Sequence, residues 1–271
     1  MKRYSLLTVL ALFLSTTLLT AQRREVRNVD SFTKITFGFA GTLYLKQGSP
    51  QKVELEGDED ILKQIETEVS GGRLRIGTDD KWFRKNSNGE KITVYITVPE
   101  IEAVGVSGSG NIVGQSTIKA NDLALNVSGS GSMKLDFEAS GDVEADVSGS
   151  GDLEINGNCK SLDSDVSGSG RVSLSGKVAE TADFGISGSG KIQASGSADL
   201  VKTNISGSGK VLASELQTNR CEVRISGSGD VEINVRNELN ANISGSGSVY
   251  YKGNPNKVNA NSAGSGKVRK M

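Results

Sequence analysis

Four residues, Ser-Gly-Ser-Gly, recur eight times in this chain, each time directly after Val or Ile. The copies begin at Ser107, Ser128, Ser148, Ser167, Ser187, Ser206, Ser226 and Ser244, and an altered ninth copy begins at Ala263. Successive copies lie 21, 20, 19, 20, 19, 20, 18 and 19 residues apart. A unit of this length is too short to bury its own apolar side, so a fixed period near twenty describes an array of stacked units sharing one core.

Aligning the units extends the pattern on both sides of the motif. Before it, apolar residues alternate with polar ones, as in Leu123-Ala-Leu125-Asn-Val127 and Val143-Glu-Ala145-Asp-Val147. After it, the alternation resumes, as in Met133-Lys-Leu135 and Leu153-Glu-Ile155. A period of two is the signature of a strand with one buried face. Each unit therefore predicts two short strands flanking the motif, then an arc that absorbs the variation in length.

The inward positions form columns: Leu123, Val143, Leu162, Ala182, Val201, Cys221, Leu239, Val258, and Ile112, Met133, Leu153, Val172, Ile192, Val211, Val231, Val249, Val268. The expected fold is all-β: a right-handed parallel β-helix of about nine coils over residues 104–271, the hand following from the rule for parallel crossovers. The motif itself has a conformational use. Glycine permits a tight corner and close approach of successive backbones. An almost extended segment would instead point both glycines inward. Either way Ser128, Ser148, Ser167, Ser187, Ser206 and Ser226 line one edge, as corner residues or as a hydroxyl row that binds a glycan.

Residues 23–103 lack the motif and are expected to cap the first coil. They read as strands Lys34–Phe39, Thr42–Lys46 and Lys52–Glu56, a short helix capped by Asp58 with Ile61, Leu62 and Ile65 on its apolar stripe, and strands Arg73–Ile76 and Lys91–Val98. Residues 1–22 read as a signal peptide. Lys2 and Arg3 precede an apolar run from Leu6 to Leu14, and small and polar residues lead to Ala21. No later stretch is long and apolar enough to span a bilayer, so the mature chain is expected to lack a transmembrane segment. The expected location is exported: periplasm, outer-membrane surface or extracellular.

Composition removes several chemistries. The chain has no His, which excludes His-based acid–base catalysis, Ser–His–Asp triads and His-ligated metals. Lys plus Arg number 31 and Asp plus Glu 32, a balance that gives no reason to expect nucleic acid. Cys159 and Cys221 lie three coils apart, about 14 Å at the spacing of strands. That exceeds the reach of a disulfide, so both are expected to be reduced.

Candidate sites are few. Glu144, Asp163 and Asp183 fall in one outward column, and Asp146 and Asp165 in the next. Stacked carboxylates repel, and hard cations prefer such oxygen clusters. The column reads either as a weak Ca²⁺ site or as a solvated acidic patch; no other cofactor is expected. Trp82 and Phe83 are adjacent in the polar stretch DDKWFRKNSNG. They could stack on a sugar or partner, or plug the junction between cap and first coil. The residues that follow the motif mix both charge signs, and no coil carries a long insertion that could wall a cleft. A catalytic role is therefore not expected.

The segments FTKITFGFAGTLYLKQGSPQKVELEGDEDILKQIETEVSGGRLRIGT and KITVYITVPEIEAVGVSGSGNI resemble the head GIN domain family. These are exported bacterial proteins, mostly of Bacteroidota, labelled auto-transporter adhesins. The resemblance covers roughly residues 30–269. It implies a β-helix related in architecture to pectin lyases, and a role in adhesion. The repeats run to Met271, and no translocator barrel is expected after them. The expected function is a secreted or surface-associated binding module without catalytic activity, with a glycan or cell-surface protein as partner. A structural cell-envelope protein is the alternative, followed by a glycan-active enzyme.

Overall fold

The computed structural model describes residues 23–78 and 92–271. The signal-peptide segment and the Trp82–Phe83 pair lie outside the described residues. The N-terminal part contains β1 (Arg23–Arg27), β2 (Lys34–Phe37), β3 (Thr42–Gln47), β4 (Lys52–Gly57), α1 (Glu59–Leu62), β5 (Ile65–Ser70), β6 (Arg73–Thr78) and β7 (Thr93–Val98). The repeats begin with β8 (Ala103–Gly108), β9 (Asn111–Gly114) and β10 (Ile118–Ala120), then β11 (Leu123–Gly129) and β12 (Ser132–Ala139). Paired strands continue to Lys257–Gly264 and Lys267–Lys270.

The chain is an all-β solenoid. Each motif copy ends the first strand of a coil and opens the second, and equivalent strands of successive coils pair in parallel. In the first ladder Val127 pairs with Val147, Val147 with Val166, Val166 with Ile186, Ile186 with Ile205, Ile205 with Ile225 and Ile225 with Ile243. All seven side chains are buried. The two apolar columns read from the sequence are also continuous ladders, through Cys221 in one and Met133 in the other. Burying one Val or Ile contributes about 1.5–3 kcal/mol. Because each such side chain is covered by the coils above and below it, this stability belongs to neighbouring coils jointly. Both cysteines are free and buried, and burial pushes the Cys159 thiol up to about 11.

The N-terminal segment does more than cover the first coil. Ile35 of β2 pairs with Leu74 of β6 on one side and Val104 of β8 on the other. Leu43 of β3 likewise lies between Val94 of β7 and Ile112 of β9. The β2–β3 coil is therefore inserted between the β6–β7 coil and the first motif-bearing coil, out of sequence order and in the same register. Antiparallel strands close this end: β5 on β6, β4 on β7, and β1 on β4. Helix α1 is capped by Asp58, whose side chain accepts the Asp60 N–H, and buries Ile61 and Leu62. Ile65 does not extend the helix as expected; it opens β5 and is buried there. At the opposite end the Lys257–Gly264 strand is exposed throughout. Its inner column weakens to Ser262, opposite Ile243.

Candidate binding face

The two glycines of each motif do different work. The first, from Gly108 to Gly264, adopts φ between +85° and +136°, where an L side chain is strained. From Gly129 onward a Cβ there would also meet the preceding coil's backbone, and the second glycine likewise lies against that coil. A Cβ on Gly170 would sit 2.5 Å from Val147 Cγ1 and 2.6 Å from Gly151 O. So the corner and the close approach are both present, and inward pointing holds for the second glycine.

This backbone turns the serines outward. Ser128, Ser148, Ser167, Ser187, Ser206, Ser226 and Ser244 stack in register and are exposed. Their amide groups are used by the ladders, but among the described residues their hydroxyls make no hydrogen bond. A serine whose only task was to stabilise the corner would use its hydroxyl internally. These hydroxyls face solvent.

Two residues before each of these serines runs a parallel outward column, Asn126, Asp146, Asp165, Gly185, Asn204, Arg224 and Asn242, continued by Asn261 before Ala263. Its side chains lean along the solenoid axis onto the next coil. Asp146 Oδ1 accepts the Asp165 N–H at 3.4 Å, and Asn242 Oδ1 accepts from Asn261 Nδ2 at 3.1 Å. The other acidic column also stacks as expected, Glu144 opposite Asp163 and Asp163 opposite Asp183. Asp183 Oδ1 accepts from Asn204 Nδ2 at 3.5 Å. Crowding alters the charge state here. Partial burial, with help from Glu144, pushes Asp146 up to about 6. Burial, then Asp165, Asp183 and Glu144, raises Asp163. Among the described residues no three carboxylates or thiols gather in a group that could hold a metal ion.

Two open grooves follow this outer face. One, of about 1170 Å³, is lined by Lys34, Arg73, Asp122, Glu144, Asp163 and Asp183 among others. The second, of about 920 Å³, runs over Ser187, Ser206, Ser226 and Ser244 beside Asn204, Arg224 and Asn242. The serines along it are short, and the Asp165 carboxylate fills the place beside Gly185. The structure thus places all six of the expected binding serines along one edge, three of them (Ser187, Ser206 and Ser226) over the second groove, and three of the five acidic residues along the first groove. Arg224 and Asn242 were not singled out as binding residues from sequence. The legible signal was Arg224 standing in a column otherwise made of Asn, Asp and Gly. Among the described residues no helix is long and apolar enough to cross a membrane.

The profile of the family described as "Putative auto-transporter adhesin, head GIN domain" matches residues 31–194 and again residues 173–255. Solved structures share the fold. A protein titled a putative lipid binding protein from Parabacteroides distasonis is 24% identical with a TM-score of 0.65, covering 93% of this chain and 97% of its own. A putative adhesin from the same species is 20% identical with a TM-score of 0.69, covering 92% and 97%. A putative adhesin from Parabacteroides merdae is 20% identical with a TM-score of 0.58, covering 93% and 96%. No curated protein matches the chain significantly. With the family profile spanning nearly all of the solenoid, the chain belongs to the head GIN domain family of adhesin-type proteins.

Proposed function

We propose that this protein is an exported, surface-associated binding module that works without catalysis, presenting the outer face of its first ladder to a polyhydroxylated partner such as a cell-surface glycan. One observation carries the reading: rows of exposed serine hydroxyls with no internal partner, repeating at the strand spacing of about 4.8 Å beside a column rich in amides. Hydroxyls and amides both donate and accept, which is what sugar hydroxyl groups require. Membership of an adhesin family supports the same reading and an exported or surface location. A purely structural envelope role would need no such free row.

Immobilising the purified mature chain on a glycan array tests this. Selective retention of particular glycans is the expected result, and uniform absence of binding would leave the structural envelope role. Protease shaving of intact cells should remove the protein, whereas full protection would place it in the periplasm. Release of unsaturated sugars from pectin or a glycosaminoglycan would overturn the non-catalytic assignment.

A further inference from the structure

The second groove contains one feature that the serine row alone does not explain. Arg224 is exposed on its rim and, among the described residues, has no carboxylate, carbonyl or hydroxyl partner. Several cations of the same coils are paired, Arg220 with Asp199 at 3.2 Å, Lys210 with Asp230 at 3.0 Å and Lys257 with Glu238 at 2.8 Å. In its own column Arg224 lies between two neutral amides, Asn204 and Asn242. Asn242 uses its oxygen to accept from Asn261, so its Nδ2 donors remain available. Ser226, two residues on and on the same face, is flanked by Ser206 and Ser244. The acidic neighbour on that face, Glu222, is flanked in register by Lys202 and Asn240.

A guanidinium fork with an amide donor at one strand's spacing, about 4.8 Å, and hydroxyls on the adjacent row is suited to one carboxylate set among sugar hydroxyls. The fork takes a carboxylate in two parallel hydrogen bonds. The surrounding charge limits the ligand further. Asp165 lies on the same groove, and the acidic columns continue beyond it. A densely charged polyanion laid along this face would meet those carboxylates, whereas a chain with one carboxylate per several hydroxyl groups would not.

Resting on the glycan-binding reading, we propose that Arg224, with Asn242 and Ser226, is a recognition subsite for the carboxylate of a sparsely charged, uronate-containing saccharide. The test is calorimetric titration of the mature protein with three probes: a hyaluronan oligosaccharide, which alternates uronate with a neutral sugar, a neutral chito-oligosaccharide, and a heparin oligosaccharide. Wild type should bind hyaluronan more tightly than either other probe. Arg224→Gln, an exposed change that leaves the ladders intact, should weaken hyaluronan binding about tenfold, the worth of a charge-assisted hydrogen bond. It should leave the chito-oligosaccharide unchanged. Arg220→Gln should change neither. Equal binding of hyaluronan and the neutral probe, unaffected by Arg224→Gln, would overturn the subsite and leave glycan binding standing. Preference for heparin would also overturn it. Failure of every saccharide to bind would overturn both readings together.

Discussion

The carboxylate of Asp165 occupies the space that a side chain at Gly185 would fill. A Cβ on Gly185 would collide with Asp165 Oδ1, and the two residues are direct partners in the ladder. Asp146 leans onto the Asp165 N–H in the same direction, and Asp183 meets Asn204 in its turn. The acidic residues therefore lie in file along the axis, with Asp146 and Asp183 engaged with the coil that follows. A cation bound here would have to draw these oxygens together and give up those contacts.

The expected effect of calcium follows from that arrangement. An ion that binds only the folded state raises the melting temperature by mass action. Titration to millimolar Ca²⁺ should leave the wild-type melting temperature unchanged. A rise that disappears in the double variant Asp146→Asn, Asp165→Asn would instead show that the column closes around the ion.

The same crowding predicts a pH dependence of stability. The folded-state value of Asp146, about 6, lies above its ordinary 3.8, mainly through burial and the nearby Glu144. A raised carboxylate contributes stability that is full below the unfolded value. That contribution is lost as pH rises from about 4 through 6. For this half-exposed group, discounted for solvent screening, it amounts to ~1 kcal/mol. Asp146→Asn keeps an oxygen for the Asp165 N–H and removes the charge. It should raise the melting temperature by about 2–4 °C at pH 7.5 and leave it unchanged at pH 4. Parallel profiles for the two proteins would contradict this.

The second glycine of the motif should tolerate no side chain, although its φ would allow one. Gly170→Ala drives a methyl group into Val147 Cγ1 and Gly151 O; Val147 is fixed in its ladder and Gly151 O accepts the Arg171 N–H, so neither can shift locally. A loss of roughly 1–3 kcal/mol is expected. Gly77→Ala is the control, since a Cβ there meets nothing within 4 Å. Chemical denaturation of the two variants should separate them, and equal midpoints would refute the close-packing argument.

Thr203 offers a stabilising change. Its buried Oγ1 has no hydrogen-bond partner, and its column neighbours are Phe184 and Val223. Ser164, in the same column, donates to Ala145 O at 2.9 Å, so its hydroxyl is satisfied where that of Thr203 is not. Thr203→Val replaces an unsatisfied polar atom with a methyl group and should gain about 1 kcal/mol. Ser164→Val should lose stability in the same assay.

Much of this protein was determined by its sequence alone, because a solenoid is built from nearest-neighbour relations. The period of two placed Val127, Val147 and Val166 on one inner face, and the period near twenty set them directly above one another. The register of every motif-bearing coil follows from those two numbers, as do the free state of Cys221 and the exposure of Ser187 and Ser206. The family resemblance could be read for the same reason: the residues that carry it are those that define the columns.

Only the tertiary structure decided which edges meet. Ile35 and Phe37 alternate like any buried strand, and nothing local says that β2 belongs between β6 and β8 rather than at the end of the stack. A parallel edge will accept any strand with matching apolar positions, so the order of coils depends on chain connections that no short pattern records. Side-chain direction on the outer face was equally hidden. Sequence put Asp146 and Asp165 in one column, but whether they converge, repel or lean aside depends on the room that Gly185, lacking a side chain, leaves for Asp165 and on the N–H of Asp165. Arg224 is the same case: its charge is visible in the sequence, and its lack of a partner is a property of the folded surface.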